Sequence, residues 1–185
     1  MLVLPVACSP GERPLSPGPE LRERSAPMNQ EGTVQVTTPS DTEIVLMRTF
    51  AAPREAVFAA LTNAEQLAIW LNPTAMSLVS CEVDLRVGGK LRYVFERPNG
   101  RRIEVRGTFG VVEHPHRFAY VESYDFSPLE VQVMTTLEEA GDRTLLKQTL
   151  RYDSQLERDE DYPGVTESAE EVFANLDRYL TNRVR

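Results

Sequence analysis

The sequence predicts an α+β domain in which a curved antiparallel sheet wraps around one long C-terminal helix, with two short helices after the first strand. Three observations carry this. From about residue 78 to 152, apolar and polar side chains alternate with a period of two, in runs separated by turn residues. After Pro163-Gly164 the period lengthens, and Ala169, Val172, Phe173, Leu176 and Leu180 fall on one stripe, with Glu167, Glu170, Asp177 and Arg178 opposite. Such a stripe needs an apolar surface to lie on. In a chain of 185 residues, enough for one well-buried core, one face of the sheet is the only large candidate.

Each element can be justified in order. Residues 1–40 contain Pro5, Pro10, Pro14, Pro17, Pro19, Pro27 and Pro39 and no hydrophobic period, so nothing there offsets the entropy of ordering; the expectation is a disordered tail ahead of one domain, 41–185. "MLVLPVACSP" lacks the charged start of an export signal, and Pro5 breaks its apolar run. Met28 resembles a natural start, which leaves open whether residues 1–27 belong to the natural protein. Order begins at "TEIVLMRTF", where Ile44, Leu46 and Arg48 alternate with Val45, Met47 and Thr49. Pro53 then stands where the first residue of a helix would, followed by Val57, Phe58 and Leu61 at helical spacing. Asn63 with Gln66 three residues on is a capping-box start for a second helix carrying Leu67 and Trp70, and Pro73 stops it.

"LVSCEVDL" opens the run of strands. "GGKLRYVFE" pairs with "RIEVRGTFGVVE" across Pro98-Asn99-Gly100, a turn in which proline presets φ and asparagine and glycine tolerate positive φ. Leu91, Tyr93 and Phe95 then share a face with Ile103, Val105 and Phe109, while Lys90, Arg92, Arg102, Glu104 and Arg106 share the other. Gly88, Gly89 and Gly107 suit a sharply bent sheet. "RFAYVESYDF", "EVQVMTTLEE" and "RTLLKQTLRY" complete an antiparallel meander. The final helix is expected to start after Pro163-Gly164 with Thr166 as cap, which leaves "ERDEDY" as a solvated loop.

Bulk composition narrows the function. The net charge is −8, which repels phosphate backbones and argues against nucleic acid, and no apolar run is long enough to span a bilayer. Two cysteines, Cys8 and Cys81, make neither a disulfide framework nor a metal cluster, and fit a reducing cytoplasm. His114 and His116 flank Pro115 in a turn without acidic or thiol companions, so no metal site is expected; Cys81 reads as a small buried hydrophobe. Gly88-Gly89-Lys90 lacks the context of a phosphate loop. The seven basic residues Arg86, Lys90, Arg92, Arg97, Arg101, Arg102 and Arg106 read as a solvated strand face.

The ordered pieces "RTFAAPREAVFAALTNAEQLAIWL", "EVDLRVGGKLRYVFERPNG", "GTFGVVEHPHRFAYVESYD" and "TLLKQTLRYDSQLERDEDYPGVTESAEEVFANLDRYL", spanning about 43–182, resemble the AHSA-type group of the START-like or SRPBCC superfamily, proteins similar to the activator of heat-shock-protein ATPase. The resemblance implies the helix-grip fold, a hydrophobic ligand cavity between sheet and C-terminal helix, and often a homodimer. It implies no single activity: members bind lipids, hormones or polyketides, some are cyclases or aromatases, and eukaryotic relatives are co-chaperones. The chain departs where relatives commonly carry paired tryptophans followed by Gly-Pro, having Trp70-Leu71-Asn72-Pro73 instead.

The candidate cavity residues are Trp70, Tyr93, Phe95, Phe109, Tyr120, Phe173 and Leu176, although periodicity alone favours plain core packing for them. Buried phenol and indole groups need polar partners, so several in one interior suggest a semi-polar pocket. Arg92, Glu122 and Gln148, with Tyr93, would point inward if the local register differs by one. A charged group there would orient a ligand or shift its own pKa enough for acid-base work. No catalytic residue and no cofactor is assigned. The expected function is binding of a small hydrophobic or amphipathic ligand; a cyclase or aromatase-type enzyme and a co-chaperone-like stimulator of a heat-shock ATPase are the alternatives.

Overall fold

A computed structural model describes residues 32–183. Its strands are β1 (Gln35–Ser40), β2 (Glu43–Phe50), β3 (Ser77–Val83), β4 (Lys90–Glu96), β5 (Arg102–Glu113), β6 (Arg117–Tyr124), β7 (Ser127–Ala140) and β8 (Arg143–Arg151); its helices are α1 (Arg54–Thr62), α2 (Ala64–Trp70) and α3 (Gln155–Arg183). The strands form one antiparallel sheet in the order β1-β2-β8-β7-β6-β5-β4-β3, so the meander β3 to β8 ends by pairing with the chain's early hairpin. Inner-face residues on alternate positions, such as Ile44, Leu46 and Phe50, Leu91, Tyr93 and Phe95, and Leu146 and Leu150, are buried in one core with the stripe of α3. Phe173 of α3 meets Phe50 with ring centroids 6.0 Å apart. This is the helix-grip arrangement.

Local signals behave as the sequence predicts at most turns and caps. Asn63 accepts a hydrogen bond from the Gln66 backbone N–H at 3.0 Å. Gly100 takes φ +80°, and Arg101 donates its backbone N–H to Asn99 Oδ1. Gly107 has a more specific role than bending the sheet. It sits on the inner face opposite Leu91, and a Cβ there would lie 2.7 Å from Leu91 Cγ. Its missing side chain is the space that Leu91 fills.

Three expectations are corrected. The tail does not extend to residue 40, because Gln35–Ser40 is a strand paired with β2; residues 1–31 of that expectation lie outside the described residues. Pro53 is the N-cap of α1, with extended backbone, and not its first helical residue. The last helix starts at Gln155, well before Pro163, so "ERDEDY" is helical and Thr166 caps nothing. Ser154 caps it: its Oγ accepts from the Glu157 backbone N–H at 3.3 Å, and Glu157 Oε2 accepts from the Ser154 backbone N–H at 3.1 Å. Pro163 is tolerated inside the helix with its ring exposed, and Thr166 donates its hydroxyl to the carbonyls of Tyr162 and Pro163.

Candidate functional site

The extra turns at the start of α3 lie over one end of the inner face of the sheet, and there the apolar pattern gives way to phenols and carboxyls. β6 sends Phe118, Tyr120, Glu122 and Tyr124 inward on alternate residues, all buried. Glu122 is 2% exposed, between Gly107 of β5 and Val131 of β7 in the sheet register. The Tyr124 hydroxyl donates to Glu122 Oε1, and the Tyr120 hydroxyl bonds toward the same carboxyl. Glu122 Oε2 takes no hydrogen bond. From the helix side, Asp161 is 6% exposed; Tyr152 donates its hydroxyl to Asp161 Oδ2 at 2.7 Å, while Oδ1 has no partner.

These groups feel one another. Burial, the largest influence, raises the Glu122 carboxyl above its ordinary range; the hydroxyls of Tyr124 and Tyr120 are among the influences that oppose the shift, and Asp161 adds a smaller push upward. Burial raises Asp161 too, against the pull of the Tyr152 hydroxyl. Tyr93, Tyr120, Tyr124 and Tyr152 are all pushed up, first by burial and then by neighbouring groups, Cys81 and Glu122 for Tyr93 and mainly the carboxyls for the other three, so every phenol stays a hydrogen-bond donor at physiological pH. Such a group can hold and exchange protons or bind a donor, and it forms no metal site: among the described residues no three of His, Cys, Asp and Glu come together.

Trp70, Tyr93, Phe95, Phe109, Tyr120, Phe173 and Leu176, named from the sequence, are all buried, none more than 4% exposed. All seven belong to one hydrophobic core, and the contacts they make within it differ. Phe109 and Tyr120 meet edge to face at 5.7 Å in a group with Phe118, Phe173 packs on Phe50, and Trp70 donates its ring N–H to the Ala60 carbonyl at 2.9 Å, fixing α2 to α1. Of the polar candidates, Glu122 and Gln148 are buried on the inner face; Gln148 donates to Thr135 Oγ1 at 3.2 Å, and its Oε1 is unpartnered. Arg92 is corrected: it lies on the outer face, paired with Glu104 at 2.9 Å and Glu82 at 3.1 Å, because it alternates with the buried Leu91 and Tyr93. No register slip is needed for Glu122, since strict alternation from Tyr120 already turns it inward.

Hollows open elsewhere, on the outer face of the sheet and beside the helices. One of about 670 Å³ lies on the outer face among Lys90, Arg92, Arg106 and Val121, and one of about 520 Å³ lies between α2 and the end of α3, bordered by Trp70, Asn175 and Arg178. Cys81 is half-buried on the edge strand β3, where burial pushes its thiol up to about 11, away from thiolate chemistry.

Comparison with known proteins places this architecture. The sequence profile of the family described as activator of Hsp90 ATPase homolog 1-like protein matches residues 51–181. The chain belongs to that family. Among solved structures, this AHSA-type domain is similar to a protein from Rhodobacter sphaeroides, with 29% identity and a TM-score of 0.78 over 81% of this chain and 99% of that one. A Nitrosomonas europaea protein matches at 22% identity and TM-score 0.71, covering 79% and 99%. An AHSA1-like protein of Aeromonas hydrophila matches at 20% and 0.56, covering 70% and 90%; these last two likenesses bear on the fold. No curated protein matches the chain. No described helix is long and apolar enough to cross a membrane.

Proposed function

We propose that this AHSA-type domain is a cytoplasmic receptor for a small amphipathic molecule, held between the inner face of the sheet and the first turns of α3. One observation carries the reading: Glu122 is buried beside phenols, among apolar side chains, with one carboxyl oxygen unpartnered. A group so placed costs stability unless something supplies the missing hydrogen bond. Apolar walls with a few convergent polar groups of shifted pKa are the usual composition of a ligand site. The apolar walls supply affinity, and the carboxyl and phenols fix orientation. The acidic net charge supports a partner that is not nucleic acid.

Native mass spectrometry of the full chain purified from its source tests this. The expected spectrum carries a stoichiometric adduct that organic extraction releases, and the same spectrum reads the homodimer that the family resemblance implies. Glu122→Leu should lose the adduct with unchanged far-UV circular dichroism. A spectrum without any adduct, from protein prepared in several extracts, overturns the reading.

A second reading rests on the raised Glu122 carboxyl. A carboxyl whose pKa burial raises, beside phenols, is suited to general acid catalysis, as a cyclase or aromatase-type reaction requires. It predicts that the extracted molecule is converted by the wild-type protein, and that Glu122→Gln binds it without converting it.

A further inference from the structure

We infer that the hollow between α2 and the end of α3 is a second binding site, which takes a small apolar carboxylic acid in its ionised form. Its volume of about 520 Å³ is in the range that holds small ligands. Arg178 lies about 25 Å along α3 from Asp161, so this hollow is distinct from the Glu122 group. Its floor is apolar: Ile69 is 67% exposed, and the Trp70 ring borders the space with its one polar atom already donating to the Ala60 carbonyl. Covering such a floor is what an apolar ligand gains from. The charge around it has one sign. The chain carries 28 acidic and 20 basic residues, yet among the described residues no acid lines this hollow, while Arg178 and Arg183 both do.

Neither guanidinium is neutralised. Arg178 donates to Asn175 Oδ1, and Arg183 lies 5.4 Å from the centre of the Tyr179 ring; among the described residues no carboxylate meets either one. Arg48, Arg92, Arg117 and Arg151 are by contrast all paired with carboxylates. The carbonyl end of α3 favours a cation and accounts for Arg183, but Arg178 lies before the last turn and the open Ile69 has no such account. Each guanidinium has five N–H donors in a fixed fork that matches the two oxygens of a carboxylate, and an amide bond or a ring contact leaves most of them free. An alcohol brings no charge, and an ammonium is repelled. The walls are held in place beforehand: the Tyr179 hydroxyl donates to Gln66 Oε1 at 3.0 Å, and Asn175 Nδ2 donates to the Asn72 carbonyl at 3.3 Å. A site pinned in this way loses little freedom on binding.

Trp70 is the only tryptophan of the chain, so its fluorescence reports on this hollow. The full chain is titrated at pH 7 with octanoate, octan-1-ol and octylamine while the Trp70 emission is followed. Octanoate should act at least about ten-fold more tightly than octan-1-ol, octylamine most weakly, and the advantage of the acid should shrink as salt is added. Arg178→Gln with Arg183→Gln, both at exposed positions, should bring octanoate to the level of the alcohol with unchanged far-UV circular dichroism. Ile69→Ser should weaken acid and alcohol alike. Alcohol or amine acting as tightly as the acid, a preference for the acid that survives in the double variant, or no response to any probe overturns the inference. So does a peptide of leucine flanked by glutamates that binds where octanoate does not, because the hollow would then be a protein-docking surface. None of these outcomes touches the reading of Glu122, which concerns the other end of α3.

Discussion

Arg48 and Glu122 are both buried on the inner face of the same sheet, and the fold treats them differently. Arg48 of β2 is 4% exposed, yet its Nη1 and Nη2 meet Glu170 at 3.1 Å and Asp177 at 3.3 Å on α3, and its guanidinium lies 5.7 Å from the centre of the Phe50 ring. Only its Nε is left without a bond. Glu122 has phenols and a second carboxyl around it, and half of its own carboxyl goes unused. A charge that serves the fold is neutralised by the element it ties down, as Arg48 is by α3. A charge left short of partners weakens the fold, and its presence points to a role outside stability.

Removing the acids that neutralise Arg48 should produce the largest effect. Glu170→Ala with Asp177→Ala strands a buried guanidinium and should cost about 3–5 kcal/mol in urea unfolding. A loss of less than about 1 kcal/mol would mean that water already solvates Arg48, and the contrast with Glu122 would collapse. Gly107→Ala sharpens the comparison from the apolar side, since a Cβ placed 2.7 Å from Leu91 Cγ, on the strand beside Glu122, should cost about 1–3 kcal/mol by overpacking. No change would show that the neighbourhood of Glu122 is loosely filled.

The smallest effect carries a sign. Burial raises the folded-state pKa of Glu122 above its unfolded value of about 4.3, so the stability tied to its proton is whole below that pH and is lost as pH rises through the raised value. Glu122→Gln cannot ionise. It should therefore match the wild type near pH 4 and melt on the order of a few degrees higher at pH 8, measured without ligand. A variant that melts lower at pH 8 would make Glu122 a structural group like Arg48.

Much of this was legible in the residues. Alternation located β2 and β3 to β8, and the Asn63 and Pro98-Asn99-Gly100 signals located a cap and a turn, because each is a local rule acting on adjacent residues. β1 escaped because its residues are exposed or half-buried and it is held by backbone pairing to β2, which leaves no apolar pattern to read. The start of α3 escaped because Pro163 looks like a boundary, although Ser154 followed by Glu157 is a capping box in plain view. With "ERDEDY" taken for a loop, Asp161 had no reason to be inside. Glu122 and Asp161 are distant in the chain, and only the packing of α3 over the sheet lets one carboxyl influence the other.

The strand order also governs how the chain can fold. Hairpins from β3 to β8 join neighbours in sequence and can zip up one after another. The early β1–β2 hairpin has no such neighbour on its far side: Glu43 meets Arg151 across 108 residues. On the ribosome, Ile44, Leu46 and Phe50 must therefore wait, greasy and uncovered, until β8 emerges, so the nascent chain spends most of its synthesis with a sticky edge that the finished protein hides.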